Sequence, residues 1–297
     1  MSEPAPPRVS VILPARDEAP GIGAVLEGLR AALDAARVSH EVVVVDDGSS
    51  DGTGEIARKA GARVLRHPHA MGNGAAVKAG IRAARGEVVA LLDADGQHDP
   101  ADIPRMLDLL GEEWAMVVGA RTGGFGGGPH RAIANRIYAA LASHVSGTRI
   151  PDLTSGFRVV RRAAARRFLY MLPNTFSYPS TLTLAFLRSG LPVAFHPVKA
   201  ARRSGKSKLR VLQDGARFFL IILRVATAFS PLRVFLPASF LAFAAGAGVY
   251  AWYWSQYRAP QLTGGIQLMW LLGALLFFLG LLAEQIASLR FDRSEEE

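Results

Sequence analysis

The chain contains no cysteine. Disulfides, thiolate chemistry and cysteine-based zinc sites are thereby excluded, and the absence suits a reducing compartment. It also lacks a GxxxxGK[ST] string, so no P-loop is present. GNGAAV at 72–77 begins like a dinucleotide fingerprint but lacks the third glycine, and it follows the third predicted strand instead of the first. The N-terminus, MSEPAPPR, has no apolar core of a signal peptide, so the first part of the chain is expected in the cytoplasm. No internal repeat is visible. Aromatic residues concentrate toward the C-terminal third and do not interleave with the basic ones, which argues against a nucleic-acid partner.

What is present is an uncommon mixture of charge and apolar surface. Lys and Arg number 34 against 25 Asp and Glu, a net charge of +9, while half of the 297 residues are hydrophobic. A basic surplus suits anionic lipid or phosphate-bearing substrates. Val234 to Trp254 is 21 residues without a charge, and Leu262 to Ala283 is another 22. Crossing a bilayer takes ~20 apolar residues, and Trp252, Tyr253, Trp254 and Trp270 provide interfacial aromatics. Arg217, Arg224 and Arg233 precede the first span, and Arg290 and Arg293 follow the second. The positive-inside rule then puts both flanks and both termini in the cytoplasm of a multi-pass cell (inner) membrane protein. Just upstream, Arg210, Arg217 and Arg224 recur every seven residues in an otherwise apolar stretch. This reads either as an amphipathic helix lying on anionic lipid or as an ordinary solvated face. The expected division is a cytoplasmic domain over 1–207, an interfacial helix over 208–231 and a membrane domain over 232–297. GGFGGGP (123–129) is a flexible loop, either a lid or a linker.

The first part of the chain alternates strand and helix. RVSVILPA (8–15), HEVVVVDDGS (40–49), ARVLRHP (62–68) and GEVVALLDAD (86–95) are β-rich runs separated by helical patterns. Near-continuous Val, Ile and Leu predicts strands buried on both faces of a mainly parallel α/β sheet. Ligands of such sheets bind beyond the carboxyl ends of the strands. PARDE, DDGSSDGT and DADGQHD each follow a strand, so three acidic loops are expected at one edge.

Asp93 and Asp95 pose the central question. An EF-hand fails, because Gly96 falls at the fourth position and Pro104 at the twelfth. Mg2+ or Mn2+ fits better, since either is commonly shared between carboxylates and substrate phosphates. His98 is weighed as a further ligand, but imidazole suits Mg2+ less well than carboxylate. Arg121, Arg131, Arg202, Arg203, Lys206 and Lys208 are cations suited to phosphate. Asp46 is expected to brace its strand end, Asp99 to cap the helix in DPADIPRML, and Gly156 to serve backbone geometry. Gly72 and Gly74 are expected to let a ligand approach or simply to open a helix.

PARDE (14–18), VVDDGSSDGT (44–53), DADGQHDP (93–100), GAR (119–121), DLTSGFR (152–158) and the R-x2-G-K-S-K string (202–208) occur in that order. Together they resemble the family-2 glycosyltransferases of the dolichyl- or polyprenyl-phosphate mannose (or glucose) synthase type. The resemblance implies a GT-A nucleotide-sugar-binding domain with a mixed, mainly parallel sheet, followed by two transmembrane helices. It places Pro14, Arg16 and Glu18 beside the nucleotide, and Val45 and Asp47 at the nucleobase. Asp93, Asp95 and Gln97, with Ala94 between, take the metal and diphosphate positions. Arg121, Arg131 and Arg202 grip donor or acceptor phosphate, Asn135 lies in the acceptor loop, and Asp152 stands near the reacting centre. Lys206, Ser207 and Lys208 belong to a loop closing on the acceptor phosphate.

The implied reaction moves a sugar from a nucleoside-diphosphate sugar, GDP-mannose or a UDP-hexose, to a polyprenyl phosphate (undecaprenyl or dolichyl) at a membrane, with inversion. A phosphate acceptor is already ionised at pH 7 and needs no strong base, whereas an alcohol would. A neutral lipid acceptor such as diacylglycerol is therefore an alternative that would require Asp152 as base. A nucleotide-sugar-binding anchor without catalysis is a third reading, and the family also leaves room for a homo-oligomer. Two departures stand out. Arg16-Asp17 replaces the Tyr-Asn of many relatives, and the segment from Tyr178 to Thr181 lacks the Lys or acid that some relatives with assigned donors carry there. No QxxRW string occurs, which argues against a processive synthase.

Overall fold

The computed structural model describes residues 6–122, 129–174, 177–199, 227, 230–258 and 262–292. The chain divides into two compact units, Met1–Val211 and Leu212–Glu297. The expected interfacial helix, the Gly-rich loop over 123–128 and the RRSGKSK stretch fall outside the described residues, apart from 227, 230 and 231.

The first unit runs β1 (Val9–Ala15), α1 (Ala19–Ala35), β2 (His40–Asp46), α2 (Thr53–Lys59), β3 (Arg63–Arg66), α3 (Asn73–Ala83), β4 (Val88–Leu91), α4 (Asp102–Leu110), β5 (Met116–Thr122), α5 (Pro129–Ser146), β6 (Arg158–Arg161), α6 (Arg162–Arg167), α7 (Tyr178–Arg188) and β7 (Val193–Lys199). The strands form one seven-stranded sheet in the order β3-β2-β1-β4-β6-β5-β7. Strands β1, β2 and β4 are buried on both faces, as their unbroken apolar runs require. β3 differs from expectation. It is a half-exposed edge strand, and Arg63 and Arg66 give that edge a charge that discourages further pairing.

Helices cover both faces because each carries one apolar stripe. α1 buries Ile22, Leu26, Leu29 and Leu33, and α4 buries Ile103, Met106, Leu107 and Leu110; both stripes join one core with Phe157 and Val159. On the opposite face α3 comes so close to β1 that a Cβ on Gly80 would collide with Ile12.

One topological feature positions the site. β6 runs antiparallel between β4 and β5, with Leu91 opposite Arg158 and Val118 also opposite Arg158. Every other pairing in the sheet is parallel. The residues that precede β6, 152–157, therefore reach the same sheet edge as the residues that follow β1, β2, β4 and β5.

The second unit holds α8 (Pro231–Tyr257) and α9 (Gly264–Asp292). A 27-residue helix is about 40 Å long, and both helices are long and apolar enough to cross a membrane. Their apolar side chains are largely unburied, Phe240 at 71% and Leu268 at 66% exposure, which is unlike a core helix of a soluble domain. The two pack through small residues. A Cβ on Gly246 would meet Trp270 at 2.6 Å, one on Gly273 would meet Phe243 at 2.8 Å, and one on Gly280 would meet Phe235 at 2.8 Å. The Ser239 hydroxyl donates to the Gly273 carbonyl (2.7 Å), and the Leu232 N–H at the start of α8 donates to Glu284 (3.1 Å).

Candidate functional site

The loops after β1 and β2 are stitched together. Asp17 occupies the left-handed region (φ 55°), which Asn and Asp tolerate best among residues with a Cβ. Its carboxylate accepts the Ser50 N–H (2.9 Å), and its own N–H donates to the Ser49 hydroxyl (3.0 Å). Glu18 N–H donates to Thr53 Oγ1 (2.9 Å) and Ala19 N–H to Asp51 Oδ2 (2.9 Å). The Arg16-Asp17 departure thus splits in two. Asp17 braces the neighbouring loop through its hydrogen bonds while remaining 47% exposed, and the Arg16 side chain, 59% exposed, lies 3.9 Å from its carboxylate. Pro14 and Glu18 are partly exposed beside it.

Asp46 braces the end of β2 as expected. It is buried, accepts the Ser49 N–H (2.8 Å) and stands 3.7 Å from Arg66. Asp47 organises the loop over 67–72, accepting from His67 Nδ1 (2.7 Å), Met71 N–H (2.8 Å) and Gly72 N–H (2.8 Å). Burial alone would raise its pKa, but these donors outweigh it and hold the carboxyl below the usual range. Val45 is fully buried between its neighbours on β1 and β3, so it belongs to the core of the sheet.

Asp93 and Asp95 lie just past the end of β4, both partly exposed. Extending the pairing of Leu91 with Arg158 by two residues sets Gly156 beside Asp93. A Cβ on Gly156 would sit 2.7 Å from Asp93 Oδ2 and 3.4 Å from Oδ1. Space for this carboxylate, more than backbone freedom, is what demands glycine there. Asp95 Oδ1 accepts the Gln97 N–H (3.1 Å) across a turn whose Gly96 has φ 70°. Ala94 is buried beneath. His98 is also buried, its ring 5.0 Å from that of Phe157. Burial lowers its pKa, so the imidazole is neutral at pH 7, and its Nδ1 has no partner among the described residues. Asp99 accepts the Ala101 N–H (2.9 Å) and turns the chain into α4, which begins slightly later than expected.

Arg121 lies within β5, not after it. Its Nε donates to Asp152 Oδ2 (2.7 Å), and its Nη2 donates to Asp152 Oδ1 (3.0 Å) and Thr154 Oγ1 (2.6 Å). The main-chain N–H of Arg121 also donates to Asp152 Oδ2 (3.2 Å), and Thr154 N–H to Oδ1 (3.1 Å). Asp152 is 2% exposed. Burial would raise its pKa, yet the bonds and charge of Arg121 prevail and hold it below the ordinary carboxylate value. It is an ionised anchor for Arg121.

Arg131 and Asn135 are placed on α5. Arg202, Arg203, Lys206, Ser207 and Lys208 lie outside the described residues. Gly72 and Gly74 open α3, whose first N–H groups are closed by protein: Gly74 and Ala75 donate to the Asn174 carbonyl at 3.0 and 3.3 Å. Tyr178, Ser180 and Thr181 are buried in the first turn of α7.

The donors around Asp93 suit a divalent cation. Asp93 and Asp95 offer hard oxygens at an open sheet edge, and Asp93 has a cradle that a single methyl group would fill. Among the described residues no group of three or more His, Asp and Glu gathers to hold a metal ion by itself. His67, Thr154, the Asn174 carbonyl and Arg158 are not singled out in the sequence, although Thr154 and Arg158 both lie inside the DLTSGFR string.

Residues 10–169 match the family described as Glycosyl transferase family 2, and residues 230–289 match the GtrB C-terminal hairpin. The dolichyl-phosphate hexose transferase of Haloferax volcanii is 33% identical over 219 residues, covering 73% of this chain and 93% of that protein. The undecaprenyl-phosphate 4-deoxy-4-formamido-L-arabinose transferase of Edwardsiella ictaluri is 30% identical over 212 residues, 69% of this chain and 64% of that protein. Among solved structures, glucosyl-3-phosphoglycerate synthase from Mycobacterium tuberculosis with Mn2+ and UDP-glucose superposes with a TM-score of 0.57 at 25% identity, over 73% of this chain and 77% of that one.

Proposed function

The chain belongs to glycosyl transferase family 2, and from that premise we propose that it moves a hexose from a nucleoside-diphosphate sugar to a polyprenyl phosphate at a membrane surface. The observation that carries this reading is the shared sheet edge. There a carboxylate pair, Asp93 and Asp95, stands with an arginine, Arg121, that a buried aspartate holds in place.

Asp93 and Asp95, with Gln97 beside them, would hold Mg2+ or Mn2+. When bound, such a cation neutralises the charge that develops on a diphosphate leaving group. Arg121 adds a fixed positive charge at the same edge, because Asp152 keeps its guanidinium from swinging away. One oxygen of the acceptor phosphate forms the new bond to the sugar's anomeric carbon as the bond from that carbon to the diphosphate breaks. A single in-line displacement of this kind inverts the configuration. The acceptor phosphate is ionised at neutral pH, so no protein base is needed. Asp152 suits that chemistry and not the neutral-lipid alternative, since both its oxygens are engaged and its basicity is depressed.

The apolar hairpin supports membrane attachment. Arg233 in the first turn of α8 and Arg290 near the end of α9 favour both flanks on the cytoplasmic side, with the short connection over 258–263 outside. Arg131, Asn135, Arg202, Lys206, Ser207 and Lys208 are proposed to meet the acceptor phosphate, and Pro14, Arg16, Glu18 and the loop that Asp47 organises to meet the nucleotide.

The test is transfer in membranes containing the chain. Undecaprenyl phosphate is supplied with Mg2+ or Mn2+ and, separately, GDP-mannose, UDP-glucose or UDP-N-acetylglucosamine, and the lipid product is weighed by mass spectrometry. A polyprenyl-phosphate sugar that disappears in Asp95→Asn is expected. Absence of lipid product with every donor, alongside measurable nucleotide-sugar binding, overturns the reading.

A further inference from the structure

Among the described residues Arg158 is one of the largest fully buried side chains of the first unit, at 0% exposure. A guanidinium there needs a reason, since burying a cation costs several kcal/mol before its partners compensate. Its bonds go to neutral acceptors, a weak one to Met116 Sδ on β5 (3.9 Å) and shorter ones to two other segments. Nη2 donates to the Ser155 carbonyl, and Nη1 donates to the Pro179 carbonyl (2.9 Å) and Thr183 Oγ1 (3.1 Å). The planar fork thereby ties the SGF segment to the first turn and a half of α7.

The residue after Ser155 is Gly156, on whose bare Cα the Asp93 carboxylate rests. Residues 156 and 158 share one face of β6, and Asp93 shares the matching face beyond Leu91. The acids whose charge reaches Arg158 are Asp152 and Asp93, and although burial lowers its pKa to about 10 it stays cationic at neutral pH.

We infer that Arg158 is a positioning residue for the metal-binding carboxylate: it anchors the Ser155–Gly156 floor beneath Asp93 to α7 and sets a permanent positive charge behind Asp93. The inference rests on the reading of Asp93 as a cation ligand, and it assigns a task to a cation that never meets solvent. Lysine is a poor replacement, because a single ammonium keeps the charge but cannot span the Ser155 and Pro179 carbonyls as a fork does.

Binding of Mn2+ itself, not turnover, tests this. Mn2+ is titrated into the detergent-solubilised full chain with UDP, and in a second series with GDP, and free Mn2+ is read by electron paramagnetic resonance. Arg158→Met and Gly156→Ala are expected to weaken the apparent Kd about tenfold or more, the usual scale for losing a group that orients a metal ligand. Arg158→Lys is expected to fall between them and the wild type. Gly80→Ala, which crowds Ile12 on β1, is the comparison for plain destabilisation and should leave Mn2+ affinity unchanged. Wild-type affinity in folded Arg158→Met and Gly156→Ala overturns the inference, as does an equal loss in Gly80→Ala. Should Arg158→Met not fold, Arg158→Lys decides, and wild-type affinity there overturns it. A wild-type chain that binds Mn2+ but transfers no sugar would count against the proposed reaction and leave this test intact.

Discussion

Asp152 holds Arg121 through both carboxylate oxygens, at 2.7 and 3.0 Å, and is itself almost wholly buried. An acid expected near the reacting centre is thus the anchor of a cation, and in the proposed reaction it would act through that cation. Asp152→Asn puts an amide N–H2 against the guanidinium or offers a single neutral acceptor. Removing one partner of a buried pair costs roughly 3–5 kcal/mol, and loss of a preorganised charge typically lowers kcat by ~100-fold or more. Steady-state transfer kinetics and thermal melts check both. Because the Asp152 pKa is depressed, the wild-type rate profile should show no acidic limb from this residue between roughly pH 5 and 8.

Asp17 tests the loop weld. Asp17→Ala removes the acceptor for the Ser50 N–H and leaves an alanine at φ 55°, a left-handed conformation that costs roughly 1–2 kcal/mol. Asp17→Asn keeps both the acceptor and the tolerance for that conformation. The alanine variant should therefore melt earlier and show a raised donor KM, while the asparagine variant stays near the wild type. Equal behaviour of the two would remove Asp17 from this role.

At the opposite ends of the strands, Glu41 gathers Ser10 Oγ (2.6 Å), the Arg85 N–H (2.7 Å) and Arg63 (2.9 Å). Burial would raise its pKa, but these partners lower it below the ordinary 4.5. A depressed folded-state pKa contributes stability above the unfolded value, and that stability is lost as pH falls through the folded pKa. Glu41→Gln should accordingly lower Tm most near neutrality. Its gap from the wild type should narrow as the pH drops below 4.5, and a gap independent of pH would contradict the assignment.

Gly80→Ala addresses how closely α3 lies on the sheet. The added methyl collides with Ile12, and overpacking of this kind costs about 1–3 kcal/mol. Denaturant midpoints of the wild type and variant measure it directly.

Much of this was legible in the chain because the relevant interactions are local. Strand and helix alternation, the acidic loops after strands and the two charge-free stretches are periodic or contiguous features, and hydrophobic burial acts on them whatever the topology. Asp46 as a brace could be read for the same reason, since its partner Ser49 is three residues away. Other features depended on which strands become neighbours, and spacing along a chain does not encode that. Only the antiparallel insertion of β6 between β4 and β5 brings Asp152 to Arg121, 31 residues apart, and slides Gly156 under Asp93. Asp152 looked like a candidate base in isolation. Its buried bond to Arg121 depresses its basicity and makes it an anchor, a consequence of desolvation and charge pairing that exists only once the sheet has formed.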